Sequence, residues 1–260
     1  MLRTTRGVVS GSAALLMATD MAFRPGDMDI YVPASQDQTA LAIAQKRLGF
    51  TLKKSSARTY QNNVDIKRVH TLKKGPKKIN IITTKGENAM AAIFQFHCTV
   101  VMNVLTAAGL YCAYPMLTLE HRGVVNLPVL LKDSSFSRRT RACFEKYRDR
   151  GISIESRVTA FPGRTHHECH IAAECPRTVR STSDGKGLYV ELFPRKENEK
   201  ERFEADEYTT IWMLGGPMCC NGNTYCNGFT KSIQASAITV STRPDAAYRA
   251  TNHPSVRRQY

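Results

Sequence analysis

The chain is short of acid. Its 260 residues carry 22 Asp and Glu against 37 Lys and Arg, a formal net charge of +15. Such a surface repels itself unless it meets an anion. Nucleic acid, nucleotide phosphate or an anionic membrane could serve, and the plain alternative is a basic surface with no specific partner. Eight cysteines are too few to make this chain a disulfide scaffold. No internal repeat is present, which excludes a solenoid or an array. Between Glu87 and Glu120 there is no charge of either sign. That length would cross a bilayer, but Gln95, His97, Thr99 and Asn103 interrupt it and Tyr114-Pro115 ends it. Polar groups at that density are costly in hydrocarbon, so the expectation is no membrane partner and a helix over 89–108 buried on nearly all sides. The basic start, Met1 to Arg6, and the apolar run after it have the outline of a signal peptide. Gly11-Ser12 breaks that run, and the expected compartment is the cytoplasm or nucleus.

What is present is patterned. Val8 and Val9 read as a short strand entering Gly11-Ser12, and 13–21 as a helix with Ser12 near its N-terminus. Arg24-Pro25-Gly26 is a turn. Residues 27–32 alternate as a strand, with Asp27 and Asp29 on one face and Met28 and Ile30 on the other. A helix is expected over 39–48, stopped by Gly49. Strands at 64–72 and 77–83 make a hairpin around Lys73-Lys74-Gly75-Pro76. A basic helix over 137–150 and one further strand at 188–193 follow. The expected fold class is α/β (α+β), a mixed sheet flanked by helices with a small irregular C-terminal region. Its segments are a first domain at 7–126, a helix with an irregular Cys/His region at 127–241, and a loosely ordered tail at 242–260.

Carboxylates at i and i+2 of a strand point to the same side, about 7 Å apart. Asp27 and Asp29 so placed suit shared ligation of Mg²⁺ or Mn²⁺. Gly11 lets backbone approach a phosphate closely, and Ser12 stands where helix N–H groups face an anion. The stretch GSAALLMATDMAFRPGDMDIYVP resembles the signature of the nucleotidyltransferase superfamily (DNA polymerase beta-like fold), in which Gly-Ser precedes an Asp-x-Asp. It is also similar to a group of uncharacterised fungal proteins with that signature. The resemblance covers about residues 7–126. It implies Gly11 and Ser12 as nucleotide contacts, Asp27 and Asp29 as catalytic metal ligands, and a nucleoside triphosphate as partner. It also implies transfer of a nucleoside monophosphate to a hydroxyl.

One departure divides the reading. Active members carry a third carboxylate on a later strand, and the matching position here is Asn80. An amide is no general base. Asp65 on the partner strand is a possible substitute. The protein is therefore either a nucleotidyltransferase or a catalytically inactive nucleotide- or nucleic-acid-binding module. Lys73, Lys74, Lys77 and Lys78 at the hairpin tip, and Arg138, Arg139 and Arg141 on the later helix, could face nucleic acid or merely solvent.

His166, His167, Cys169, His170 and Cys175 fall within ten residues, and Cys219, Cys220 and Cys226 come later. Cys169, Cys175, Cys220 and Cys226 could close a tetrahedral Zn²⁺ site, although the two-residue knuckle spacing is missing. A disulfide and reduced, unligated thiols are the alternatives. A Cys169–His166 dyad has no nameable oxyanion hole.

Overall fold

Two valines and a glycine set the first corner of the fold. Leu2–Thr5 is a single helical turn, α1, Val8–Ser10 is strand β1, and Gly11 turns the chain into helix α2, Ser12–Ala18. The structure is a computed structural model that describes residues 1–57, 65–127, 138–192, 209–215 and 240–242. The tail beyond 242, and Cys219, Cys220 and Cys226, lie outside the described residues.

Strand β2 spans Met28–Val32, and helix α3, Asp37–Ala42, runs into a wider π-type turn at Ile43–Arg47. Gly49 ends it with φ 72°, a left-handed geometry that suits glycine. Strands β3 (Thr51–Ser56), β4 (Ile66–Lys74) and β5 (Lys77–Thr84) follow. The last two form a hairpin as expected, but its turn is Gly75-Pro76 alone, with Lys74 opposite Lys77, and not the four residues 73–76. Strands β6 (Asn103–Leu105) and β7 (Gly109–Cys112) come next, then helix α4 (Pro115–Thr118) and β8 (Arg122–Val124). Helix α5 spans Arg138–Arg148, and β9 and β10 are Ser153–Glu155 and Arg180–Ser181. The remaining strands are β11 (Leu188–Glu191), β12 (Thr209–Trp212) and β13 (Val240–Thr242).

The chain divides into two compact units. Unit 1 is Met1–Ile93, Val101–Cys112 and Leu188–Tyr208; unit 2 is Phe94–Val100, Ala113–Gly187 and Thr209–Tyr260. The result is a mixed α/β protein with one large mixed sheet and several helices. The sheet of unit 1 has eight strands in the order β11-β7-β6-β1-β2-β5-β4-β3. Only β2 and β5 run parallel within it; every other pair is antiparallel. Alternation along the strands sends Ile30, Val32, Leu72, Ile79 and Ile81 to one face, where they meet Ala40 and Ala44.

The helix expected over 89–108 does not form. Short 3₁₀ turns at Ile93–Gln95 and Thr99–Val101 occupy that stretch, followed by β6. The segment is almost wholly buried. Burial on all sides erases the periodicity that tells helix from strand, and the β-branched residues around Asn103 favour the strand. No helix among the described residues is long and apolar enough to cross a membrane.

In unit 2, β8 and β9 pair in parallel, and β10, β12 and β13 form a small antiparallel sheet. Its core is polar at the centre. Arg180, 1% exposed, donates Nε to Asp184 Oδ2 at 2.6 Å and Nη2 to the Ala113 carbonyl at 3.0 Å. Its guanidinium lies over the rings of Tyr114 and Trp212, 4.8 and 5.2 Å from their centroids. Trp212 stacks on Phe94 at 4.0 Å and donates its indole N–H to the Tyr114 hydroxyl at 2.8 Å. Fully buried, paired guanidinium is costly unless every donor is used, so this packing fixes one arrangement.

Candidate functional site

Register brings the expected residues of unit 1 together. Ser10 is opposite Asp29 in the β1–β2 pair, Asp29 opposite Asn80 in β2–β5, and Thr71 opposite Asn80 in β4–β5. Neighbours in register share a face, so Asp29 and Asn80 lie on the face opposite Ile30, Ile79 and Ile81. Asp27, two residues before Asp29, joins them just ahead of the strand.

Hydrogen bonds within the protein tie these partly exposed side chains to one another. Asn80 Nδ2 donates to Asp27 Oδ2 at 3.0 Å and to Asp29 Oδ1 at 2.8 Å. Thr71 Oγ1 donates to Asn80 Oδ1 at 3.0 Å, and ionised carboxylates only accept, so the amide is oriented from both ends. Lys78 Nζ stands 2.8 Å from Asp27 Oδ2. The Lys78 and Asp27 side chains are 38% and 32% exposed, so solvent reaches the pair and screens it.

Gly11 belongs to the same cluster. Its φ of 71° and ψ of −145° fall where side chains are rarely tolerated, and a Cβ there would lie 3.2 Å from Asp29 Oδ2. Ser12 is the first residue of α2, directly after it. Asp65 is not the missing carboxylate. It precedes β4, where its carbonyl accepts the Lys85 N–H at 2.7 Å, five residues along the sheet from Asn80 and so roughly 16 Å away.

A magnesium ion does not fit the donor set as arranged. The space between the two carboxylates holds an amide N–H₂, which repels a cation, and the balancing charge is the ammonium of Lys78. From the sequence Lys78 is one of four hairpin-tip lysines that face nucleic acid or solvent. Its pairing with Asp27 spans 51 residues and carries no local motif.

The hairpin tip stands at the same end of the sheet. Lys73 is opposite Lys78 and Lys74 opposite Lys77, two like-charged cross-strand pairs. Such pairs are destabilising unless an anion or an acid relieves them. Lys74 donates to the Leu48 carbonyl at 2.8 Å, and Lys73 and Lys77 are exposed.

A second polar cluster of unit 1 went unforeseen. Asp37, at the start of α3, accepts from the Thr83 hydroxyl and lies 2.9 Å from His70 Nε2, with Arg68 at 3.6 Å. Burial raises the Asp37 pKa, but the Thr83 and His70 hydrogen bonds and the nearby cations outweigh it, and the net direction is down. The partners are 33 and 46 residues away, too far for any sequence motif. The cluster ties α3 to β4 and β5.

In unit 2, His167, Cys169 and Cys175 bring one ligand atom each within 4.8 Å of the others. Cys220 and Cys226, expected as the remaining ligands, lie outside the described residues. His166, which sequence reasoning paired with Cys169, is exposed, and its neighbour His167 stands beside that sulfur instead. Cys98 is a buried thiol whose burial pushes its pKa up to about 12, which leaves it inert. Arg138 and Arg141 are exposed on α5.

No protein-family model matches the chain, no curated protein matches it, and no solved structure matches it.

Proposed function

We propose that unit 1 is a nucleotidyltransferase-type domain that binds nucleotide phosphate and transfers nothing. The observation that carries the reading is the Asn80 amide lodged between Asp27 and Asp29, with the Lys78 ammonium on Asp27. Transfer of a nucleotidyl group needs metal ions to activate the attacking hydroxyl and to stabilise the leaving pyrophosphate. An amide and an ammonium hold the two carboxylates in place without supplying either service. Binding is a lesser demand. The reading takes Gly11 and Ser12 as the phosphate contacts, because a glycine backbone can be approached closely, and the lysines of the hairpin tip add positive charge at the same end of the sheet. The ligand class is a nucleoside triphosphate or a nucleic-acid phosphate, bound without a required divalent cation.

The test is a pair of measurements. In a thermal-shift series, triphosphate should raise the melting point equally with chelator and with Mg²⁺, because a ligand that binds only the native state stabilises it. Labelled triphosphates with Mg²⁺ or Mn²⁺ should release no pyrophosphate. Turnover that disappears in Asp27→Ala and Asp29→Ala would establish the enzyme instead, and no shift with any triphosphate or oligonucleotide would end the binding reading.

A further inference from the structure

The loop from Gly163 to Thr178 in unit 2 has almost no regular structure, yet it gathers three soft donors. His167 Nε2 lies 3.6 Å from Cys169 Sγ, and Cys175 Sγ completes a set whose atoms all fall within 4.8 Å of one another. Zinc–sulfur and zinc–nitrogen bonds of about 2.3 and 2.05 Å at a tetrahedral angle put an S–N edge at about 3.6 Å and an S–S edge at about 3.8 Å. The observed His–Cys separation matches that edge, while the set as a whole is bounded at 4.8 Å, so the loop would contract by up to about 1 Å to close on the ion.

Backbone geometry gives a second, independent sign. Cys175 Sγ accepts two main-chain N–H groups, from His170 and Arg177, each at 3.4 Å. A neutral thiol is a weak acceptor, and two amides aimed at one sulfur suit a thiolate bound to a cation. His170 adopts φ 64°, an uncommon conformation for a residue with a side chain, and this turn aims its N–H at the sulfur. Cys175 is itself buried, and Ala172 and Cys169 pack against it.

We propose that, in the reduced chain, His167, Cys169 and Cys175 hold a zinc ion that fixes this loop. Two sulfurs and an imidazole select zinc among the abundant divalent ions and disfavour magnesium, which takes oxygen. Three ligands leave one coordination position for a further donor. In this structure Cys169 is disulfide-bonded. A disulfide sulfur offers no thiolate, so metal and disulfide are alternative states of the same atom. The site lies in unit 2 and does not rest on the nucleotide reading of unit 1.

The experiment is metal analysis of the full chain, purified with a non-chelating phosphine reductant and dialysed against trace zinc. The expected result is about one zinc per chain, falling below about 0.2 in Cys175→Ser and Cys169→Ser, with partial loss in His167→Ala. Should those variants fail to fold, cobalt substitution of the wild type decides the matter. Tetrahedral thiolate ligation gives a sulfur-to-cobalt charge-transfer band and strong visible transitions, whereas weak octahedral bands would overturn the proposal. It is equally overturned by wild-type protein that stays metal-free in excess zinc. The same holds for zinc undiminished in the Cys175→Ser variant, or a zinc-loaded chain in which peptide mapping finds Cys169 in a disulfide.

Discussion

Replacing Asn80 by Asp exchanges a nitrogen donor for an oxygen of like charge at the centre of the unit 1 cluster. The amide makes contacts of 3.0 and 2.8 Å to the two aspartates, and both would be lost. A hydrogen bond to a charged group contributes about 1.5–3 kcal/mol when it is well shielded. Two like charges about 3 Å apart repel by roughly 5 kcal/mol at an effective dielectric near 20. Neither figure applies in full here. The pair is about a third exposed, Lys78 stays as a counter-charge, and the new carboxyl can rotate away or hold a proton. A net loss of about 2 kcal/mol is expected, equivalent to roughly 4–8 °C in Tm for a domain of this size. Millimolar Mg²⁺ should return most of that loss to the variant, because three carboxylates at this spacing make a cation site, while leaving the wild type unmoved. Differential scanning fluorimetry with chelator and with Mg²⁺ measures both arms. The reasoning is refuted if the wild type gains as much from Mg²⁺ as the variant does, or if the variant is no weaker than the wild type in chelator.

Two further outcomes follow from unit 2. Arg180→Ala removes the donor of the Ala113 carbonyl and the cation paired with Asp184, whose carboxylate keeps only the Ser181 and Lys186 N–H groups, and should cost about 3–5 kcal/mol. Urea unfolding followed by the single tryptophan, Trp212, reads it, and a loss below about 1 kcal/mol would contradict the packing described. His97 is held down to about pKa 4, first by burial and then by the Lys146 charge. The unfolded chain takes that proton near pH 6.5, so between roughly pH 6.5 and 4 the unfolded state binds more protons and native stability falls as pH drops. The share due to His97 is up to about 3 kcal/mol, and His97→Phe should flatten the slope in that window. An unchanged slope in urea titrations at pH 7 and pH 4.5 would remove His97 as its source.

Much of unit 1 is legible because its signals are local. The alternation across Asp27 to Val32, the Lys-rich turn and the glycine that ends α3 each act within a few residues, although the strand runs on through Lys74 and the hairpin register is set by the shorter turn Gly75-Pro76. Gly11, Asp27 and Asp29 stand out as short motifs and Asn80 through the family resemblance; strand order then places the four side by side. What was not readable depends on distance or on burial. The apolar run after Asn88 lost its period by being covered on every side. Asp37 meets His70 and Thr83 only through the sheet, and Lys78 meets Asp27 the same way. In the histidine–cysteine region the residue types were visible, but a loop has no period. The choice of His167 over His166 was therefore beyond the sequence.

Strand β11 was recognisable as a strand, whereas its neighbour was not. It pairs with β7, so that Tyr189 sits opposite Tyr111, 78 residues earlier in the chain. Val190 O comes so close to Gly109 that a Cβ there would lie 2.4 Å away. A ribosome must therefore deliver the whole of Ala113–Gly187 before this sheet can gain its last strand. Until then Leu110 and Tyr111 wait with an open row of amides and carbonyls, a template for pairing between nascent chains. A fragment cut after the first 126 residues inherits that open row permanently, so expression of the front portion by itself should yield aggregates unless the distant strand is supplied.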